Sequence, residues 1–300
     1  MSTKNLVKNP IFNYHLMLLP GMMILIAFSI IPMFGAVIAF EDFIPVKGIL
    51  HSKWIGLDNF KYMFSLPDSM QVFKNTIIIA LMKIFAGLIV PLIFSLLLNE
   101  VRKTWFKRTV QTVIYLPHFL SWVIMSSIIM NLFQLDGMIN QMFNFLGIEP
   151  IMFLASNFWF RPMLVVTDVW KEFGFNTIIY MAALTSVNPN LYESAVIDGA
   201  NRFRQITSIT IPGIMPTIIL LATLSLGNVL NAGFEQVLNL YNPVVYQTAD
   251  IIDTYVYRAG LLEAQYGLAT ATGLLKSAVS FILIMVSYRL AYKYANYKIF

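Results

Sequence analysis

Six apolar stretches constrain this chain more than any other feature. They run near 16–40, 73–99, 109–133, 162–186, 213–237 and 266–292. Each is long enough to cross a hydrocarbon layer, which takes roughly 20 apolar residues in a helix. Inside lipid a backbone N–H or C=O finds no water, so such a stretch must satisfy its own hydrogen bonds as a helix. The composition agrees, with 58% hydrophobic and 12% charged residues; an ordinary soluble domain carries about 25% charged residues. The expected fold is an all-α integral membrane protein with six transmembrane helices. The first stretch follows Lys4 and Lys8 in the manner of a signal peptide. Its apolar run is too long for a typical h-region and no convincing small-residue cleavage site follows, so it is read as a retained span.

The charges between the stretches are sorted by sign. The N-terminus, 100–108, 187–212 and the C-terminus hold eleven Lys and Arg (4, 8, 102, 103, 107, 108, 202, 204, 289, 293 and 298) against the acids Glu100, Glu193 and Asp198. The alternating loops hold Lys47, Lys53, Lys61, Arg161 and Arg258 against nine acids. Lys/Arg excess marks cytoplasmic loops, so both termini are expected inside, with 1–15 as a cytoplasmic N-terminal segment. The net charge of +5 is then a topology signal and not a nucleic-acid footprint. The outer segments 41–72, 134–161 and 238–265 are rich in Pro, Gly, Asn and aromatics. Membrane anchoring explains any single aromatic there; the functional reading is a docking rim for an extracytoplasmic partner.

Between the fourth and fifth stretches lies a soluble-looking island, Asn188 to Pro212, reading NPNLYESAVIDGANRFRQITSITIP. Asn188 suits an N-cap and Pro189 the first helical position, where its missing N–H has no partner to lose. Tyr192, Ala195 and Val196 fall on one side at helical spacing. Gly199 after Asp198 suits the left-handed turn that ends a helix. A second short helix starts near Asn201, and Pro212 limits its extent. Spacing alone favours an ordinary cytoplasmic loop. However, Glu193, Ala195, Asp198, Gly199, Ala200, Ile209 and Pro212 match at the expected spacing the "EAA" motif of ABC-importer permease subunits, which this chain resembles. Ser194 stands where that family usually has Ala, and Ile206 where an aromatic is common. The resemblance implies that the island is a cytoplasmic coupling helix between spans four and five, docked in a cleft on an ATP-hydrolysing subunit. Glu193 would cap or pair at the docking surface, and Tyr192, Arg202 and Arg204 are added to that set, the arginines meeting acidic groups on the ATPase.

Two polar stripes interrupt the spans. Span four carries Asp168, Lys171, Glu172 and Asn176 at i, i+3, i+4 and i+8, one helical face. Span five carries Ser225, Asn228, Asn231 and Glu235, again read as one stripe. A charge at mid-bilayer costs about 2.5–3.5 kcal/mol on the lenient insertion scale, so these groups face each other or a wet pathway. Internal pairing of Lys171 with Asp168 or Glu172 stands on equal footing with the pathway for span four. For Asn228, Asn231 and Glu235, which have no cation on their own helix, the pathway is favoured. Hydroxyl-rich solutes need amide and carboxylate partners, with aromatic faces such as Trp170, Phe173 and Phe234 for the sugar ring. For each aromatic taken alone, packing is the simpler reading. The runs at 99–122, 233–243 and 253–261 are similar to carbohydrate-uptake permeases for complex oligosaccharides and oligouronides. That likeness extends from about Tyr14 to the end, and it adds Gln236 to the pathway beside Glu235.

No phosphate-binding loop is present: Gly267 to Ser277 reads GLATATGLLKS, with two leucines between Gly273 and Lys276. There is no cysteine, and His15, His51 and His118 are scattered, so no metal site is indicated. The chain is expected to be a non-catalytic ABC permease domain over 16–300, located in a bacterial cytoplasmic membrane. A second homologous permease, two ATP-binding subunits and an extracytoplasmic solute-binding protein would be its partners, with ATP and Mg held only on the ATPases. The alternatives are another polar cargo such as peptides, an ion-gradient-driven secondary transporter, or a membrane enzyme acting on lipid-linked substrates.

Overall fold

The structure is a computed structural model that describes residues 10–295. Lys4, Lys8 and Lys298 of the charge count, and the first nine residues of the N-terminal segment, lie outside the described residues. The helices used below are α1 (Pro10–Leu25), α2 (Asp58–Ser65), α3 (Pro67–Glu100), α4 (Thr104–Tyr115), α5 (Trp122–Phe133), α6 (Met138–Phe145), α7 (Phe160–Leu184), α8 (Pro189–Ile197), α9 (Arg202–Gln205), α10 (Ile211–Gly227), α11 (Phe234–Leu240) and α12 (Tyr266–Ala295). Two two-residue strands, β1 (Glu41–Asp42) and β2 (Lys53–Trp54), pair antiparallel with Glu41 opposite Trp54.

Among the described residues, five segments are long and apolar enough to cross a membrane: Asn13–Phe40, Pro67–Glu100, Trp122–Phe145, Arg202–Gly227 and Tyr266–Lys293. The stretch expected as the fourth span coincides with the 25-residue helix α7, which is not among these five. Arg161, Asp168, Lys171 and Glu172 keep it out of a purely apolar class.

The third and fifth spans differ from expectation. A continuous helix over 109–133 is expected; instead α4 ends at Tyr115, a 3-10 turn covers Leu116–Phe119, and Leu120 is extended. Pro117 cannot donate to the ladder, and Ser121 restarts it by accepting from the N–H of Ile124 at 3.4 Å. A continuous helix over 213–237 is also expected; instead α10 stops at Gly227 and α11 starts after Gly233, which has φ +93°. Gly227 and Asn228 are weak helix formers. The Asn228 amide bonds back to Leu224 C=O at 3.2 Å, a local bond that competes with the ladder. Ser225, Asn228, Asn231 and Glu235 are therefore not one helical stripe.

Pro212 does not limit its helix either. A π-turn at Ile206–Thr210 joins α9 to α10, with the N–H of Ile211 reaching Ile206 C=O, and the proline follows as the second residue of α10. The widened turn takes the residue that a strict ladder would have had to lose at the proline.

The chain forms two compact units. In the first, residues 10–66 and 256–275, the hairpin is held by aromatic packing. Phe40 stacks on Trp54 at 5.6 Å and meets Phe60 at 5.5 Å. The Asn59 amide donates to the carbonyls of Ala39 and Glu41 at 3.0 Å each. In the second, residues 67–255 and 276–295, α3 packs along α7. A core of Tyr180, Leu184, Val187 and Ile214 gathers Leu92, Leu96, Tyr192 and Leu221 around it. This core joins the foot of α7 to α8 and α10, and so carries the island.

Candidate coupling segment and pathway cavity

The island folds as a helical hairpin. Asn188 Oδ1 accepts from Asn190 N–H at 3.0 Å, and Pro189 opens α8. The helix closes with Ala200 N–H on Ala195 C=O at 2.8 Å, and Gly199 takes φ +73°. Asn201 Oδ1 then accepts from Arg204 N–H at 2.9 Å and starts α9. Gln205, buried, donates to Ala200 C=O at 2.9 Å and ties the two arms together. Glu193 and Asp198 are exposed, and Ala200 is half-buried.

The residues expected on one face of α8 are divided. Tyr192 turns inward: its hydroxyl shares a 2.9 Å hydrogen bond with Thr210 Oγ1, and its ring joins the Tyr180–Ile214 core. Ala195 is half-buried, and Val196 points outward. The outer face presents Leu191, Val196, Ile197 and Phe203, the last two 86% and 76% exposed. Arg202 lies 3.8 Å from Glu100 of α3, both exposed; such a surface pair is worth about 0–1 kcal/mol.

The span-four stripe opens on a cavity of about 340 Å³. Asp168, Glu172 and Asn176 line it from α7, together with Asn228 and Asn231 from the turn after α10. Ile84 and Phe173 supply apolar wall. Lys171 is turned away, as are Trp170, Glu235 and Gln236, none of which lines this cavity. Glu235 is exposed in the first turn of α11, and Gln236 is fully buried.

Pairing inside the unit contains one of the two expected pairs, Lys171 with Glu172, and gives Asp168 a partner from another helix. Asp168 pairs with Lys83 of α3 at 3.0 Å, not with Lys171. Lys171 pairs with Glu172 at 3.0 Å, donates to His118 C=O at 2.9 Å, and sits 5.5 Å from the Trp122 ring. Glu172 Oε2 lies 2.7 Å from His118 Nδ1, and the imidazole stacks on Phe175 at 4.2 Å. Every charge on the wall has a counter-charge or polar partner from the chain itself, which is how ionisable groups persist at membrane depth. At the turn, Asn231 donates to Asn228 Oδ1 at 3.3 Å and accepts from Lys276 Nζ at 3.0 Å; Lys276 is held by Asp253 at 2.5 Å.

A family model for the inner membrane component of binding-protein-dependent transport systems matches residues 87–298, a region that includes the hairpin and most of the cavity wall. The chain belongs to this family. This inner membrane component is 45% identical over 283 residues to the polygalacturonan/rhamnogalacturonan transport system permease protein YteP of Bacillus subtilis, covering 94% of this chain and 88% of that protein. It is 31% identical to the lactose transport system permease protein LacF of Rhizobium radiobacter over 56% of each chain. Among solved structures it resembles a chain of a bacterial ABC transporter that imports the acidic polysaccharide alginate. The TM-score is 0.87 and the identity 37%, over 94% of this chain and 96% of that one. A second similar structure, at TM-score 0.87 and 36% identity over 96% of each chain, is of a bacterial alginate ABC transporter in complex with a periplasmic protein bound to an alginate pentasaccharide.

Two residues of this inner membrane component escaped the sequence reading. Lys83 lay inside an apolar stretch and was absorbed into it, although a lone intramembrane lysine is itself a signal. His118 was dismissed as metal-free, yet it belongs to the Glu172 cluster.

Proposed function

We propose that this chain is the membrane-spanning permease subunit of an ATP-driven, binding-protein-dependent importer of oligosaccharides, and that the cavity is its share of the translocation path. The observation that carries the reading is the cavity wall. Carboxylates of Asp168 and Glu172 and amides of Asn176, Asn228 and Asn231 converge beside the Phe173 ring. Such a wall offers a polyhydroxylated solute both hydrogen-bond partners and a flat apolar surface. Family membership and the polysaccharide-importing relatives support the oligosaccharide class of cargo.

The finer architecture belongs to the same proposal. The α7 helix completes the set of six as the fourth span in chain order: its 25 residues reach about 37 Å at 1.5 Å each, and its charges are paired within the bundle. Residues 16–300 form the permease domain, both termini are cytoplasmic, and α8 is the coupling helix. The exposed Leu191, Val196, Ile197 and Phe203 make an apolar face for an ATPase cleft, with Glu193 and Arg204 at its margin, while Tyr192 anchors the hairpin to the core. Two ATPases carrying ATP and Mg, a second homologous permease and an extracytoplasmic binding protein complete the machine. ATP binding draws the ATPases together, α8 carries the movement into the α7 and α10 spans, and the cavity opens outward to receive solute. Hydrolysis resets it inward.

The test is Asn176→Trp, which fills the cavity from a half-buried position. Uptake by the assembled transporter should fall roughly tenfold or more, the effect of losing about 1.4 kcal/mol or more of productive contact. Wild-type uptake in this variant would sink the cavity as the path.

A further inference from the structure

Lys83 sits in the middle of α3 with its side chain only 7% exposed. Its ammonium donates to Ala232 C=O at 2.7 Å, to Gln236 Oε1, and to Asp168 Oδ1 at 3.0 Å. An ammonium has three N–H bonds, so these three acceptors fill it and none is left for a solute. Charge balance accounts for the bond to Asp168 alone. The other two acceptors belong to the break between α10 and α11. Gln236 continues the connection, donating to Leu164 C=O and to Thr167 Oγ1, both at 2.8 Å on α7. The break is thus pinned to α3 through Lys83 and to α7 through Gln236. Gly233 belongs to the same device: with φ +93°, a Cβ there would stand 2.6 Å from Lys83 Nζ.

We propose that Lys83 is a positioning residue for transport, which holds the Asn228–Gly233 turn so that Asn228 and Asn231 present their amides to the solute. The proposal rests on the reading of the cavity as the translocation path. Irregular backbone at membrane depth survives only where protein or a wet cavity satisfies it, and discontinuous spans supply solute contacts in transporters. Here the irregular turn has a buried ammonium as its fastening on the α3 side. Loosening it would let Asn228 and Asn231 drift, and of the α7 wall residues it would release only the Asp168 carboxylate from a direct bond.

The chain contains no cysteine, so a single Leu230→Cys reports on the turn from a position that is 3% exposed. The complete transporter in proteoliposomes is compared in three forms: Leu230→Cys alone, with Asp168→Asn added, and with Asp168→Asn plus Lys83→Met. Methionine keeps the length of the lysine stem, and Asp168→Asn ensures that no bare carboxylate remains. With Asp168→Asn alone, Lys83 keeps its two fastenings on the turn, and Leu230→Cys should react with a small methanethiosulfonate as slowly as the parent. Adding Lys83→Met should raise the reaction rate roughly tenfold and lower maximal uptake roughly tenfold below that of Asp168→Asn, with KM for the loaded binding protein little changed. Equal labelling in all three forms, or raised labelling with uptake equal to that of Asp168→Asn, overturns the assignment. If the Lys83 form does not assemble, Gln236→Met carries the test: the same pattern at smaller size supports the proposal, and no change overturns it. Asn176→Trp separates the underlying reading. Wild-type uptake there defeats the cavity itself, whereas impaired uptake there with no effect of Lys83→Met defeats only the role of Lys83.

Discussion

Gly199 carries the bend between α8 and α9 at φ +73°. A side chain in that conformation costs about 1–2 kcal/mol, more for a branched one. Nothing stands within 4 Å of a Cβ placed there, so the penalty is backbone strain and not a clash. Gly199→Val should therefore leave the chain in the membrane while misaligning α8. The expected outcome is uptake lowered at least roughly tenfold with ATPase activity no longer stimulated by loaded binding protein, since about 1.4 kcal/mol is a factor of ten. Stimulated ATPase with normal uptake would remove the coupling role from this hairpin. The bend and both Asn caps were legible because each depends on one residue's own backbone or side-chain chemistry. Tyr192 was half legible. Its helical face could be read, but its hydroxyl partner Thr210 lies 18 residues away, and no local rule predicts that pairing. Lys83 was illegible as a partner for a stronger reason: Ala232 and Gln236 lie 149 and 153 residues away, and only the fold brings them together.

Among elements, three long apolar runs were read correctly, and two broken by one or two residues were not. The segments near 16–40, 73–99 and 266–292 have their structural counterparts. The third and fifth did not stay continuous, because hydropathy sees apolar content and is blind to whether the ladder survives Pro117 or Gly233. The packing of α4 on α7 can be checked directly. Gly174 of α7 lets the backbone of Ile114 approach so closely that a Cβ would fall on the Ile114 carbonyl oxygen. A carbonyl in a helix cannot yield as a flexible side chain can, so Gly174→Ala forces the two helices apart. Overpacking of this kind costs about 1–3 kcal/mol. Thermal unfolding of the purified transporter should begin at lower temperature in Gly174→Ala. An unchanged transition would mean that α4 and α7 are not in contact at that point.

At the scale of the whole chain the decisive quantity is the sorting of charge: eleven cations against three acids on one set of segments, and five against nine on the other. This count was available without any knowledge of packing, since it depends only on which loops alternate. A six-span reading makes the alternation consistent and places the α8 hairpin on the cation-rich side, where an ATPase can reach it. A five-span chain would put the two ends of the molecule on opposite faces and send the hairpin to the same face as only one of them. Labelling decides between these, and the cysteine-free chain makes the experiment clean. Val46, 97% exposed, lies between β1 and β2, and Lys103 is exposed in the loop before α4. Val46→Cys should react with a membrane-impermeant maleimide on intact cells stripped to the cytoplasmic membrane, and Lys103→Cys only after permeabilisation. A cysteine appended before Met1 and another after Phe300 should both behave like Lys103→Cys. If the two termini label from opposite sides, α7 does not cross the bilayer; Asp168, Lys171 and Glu172 are then surface groups, and the cavity they line cannot be a path through the membrane.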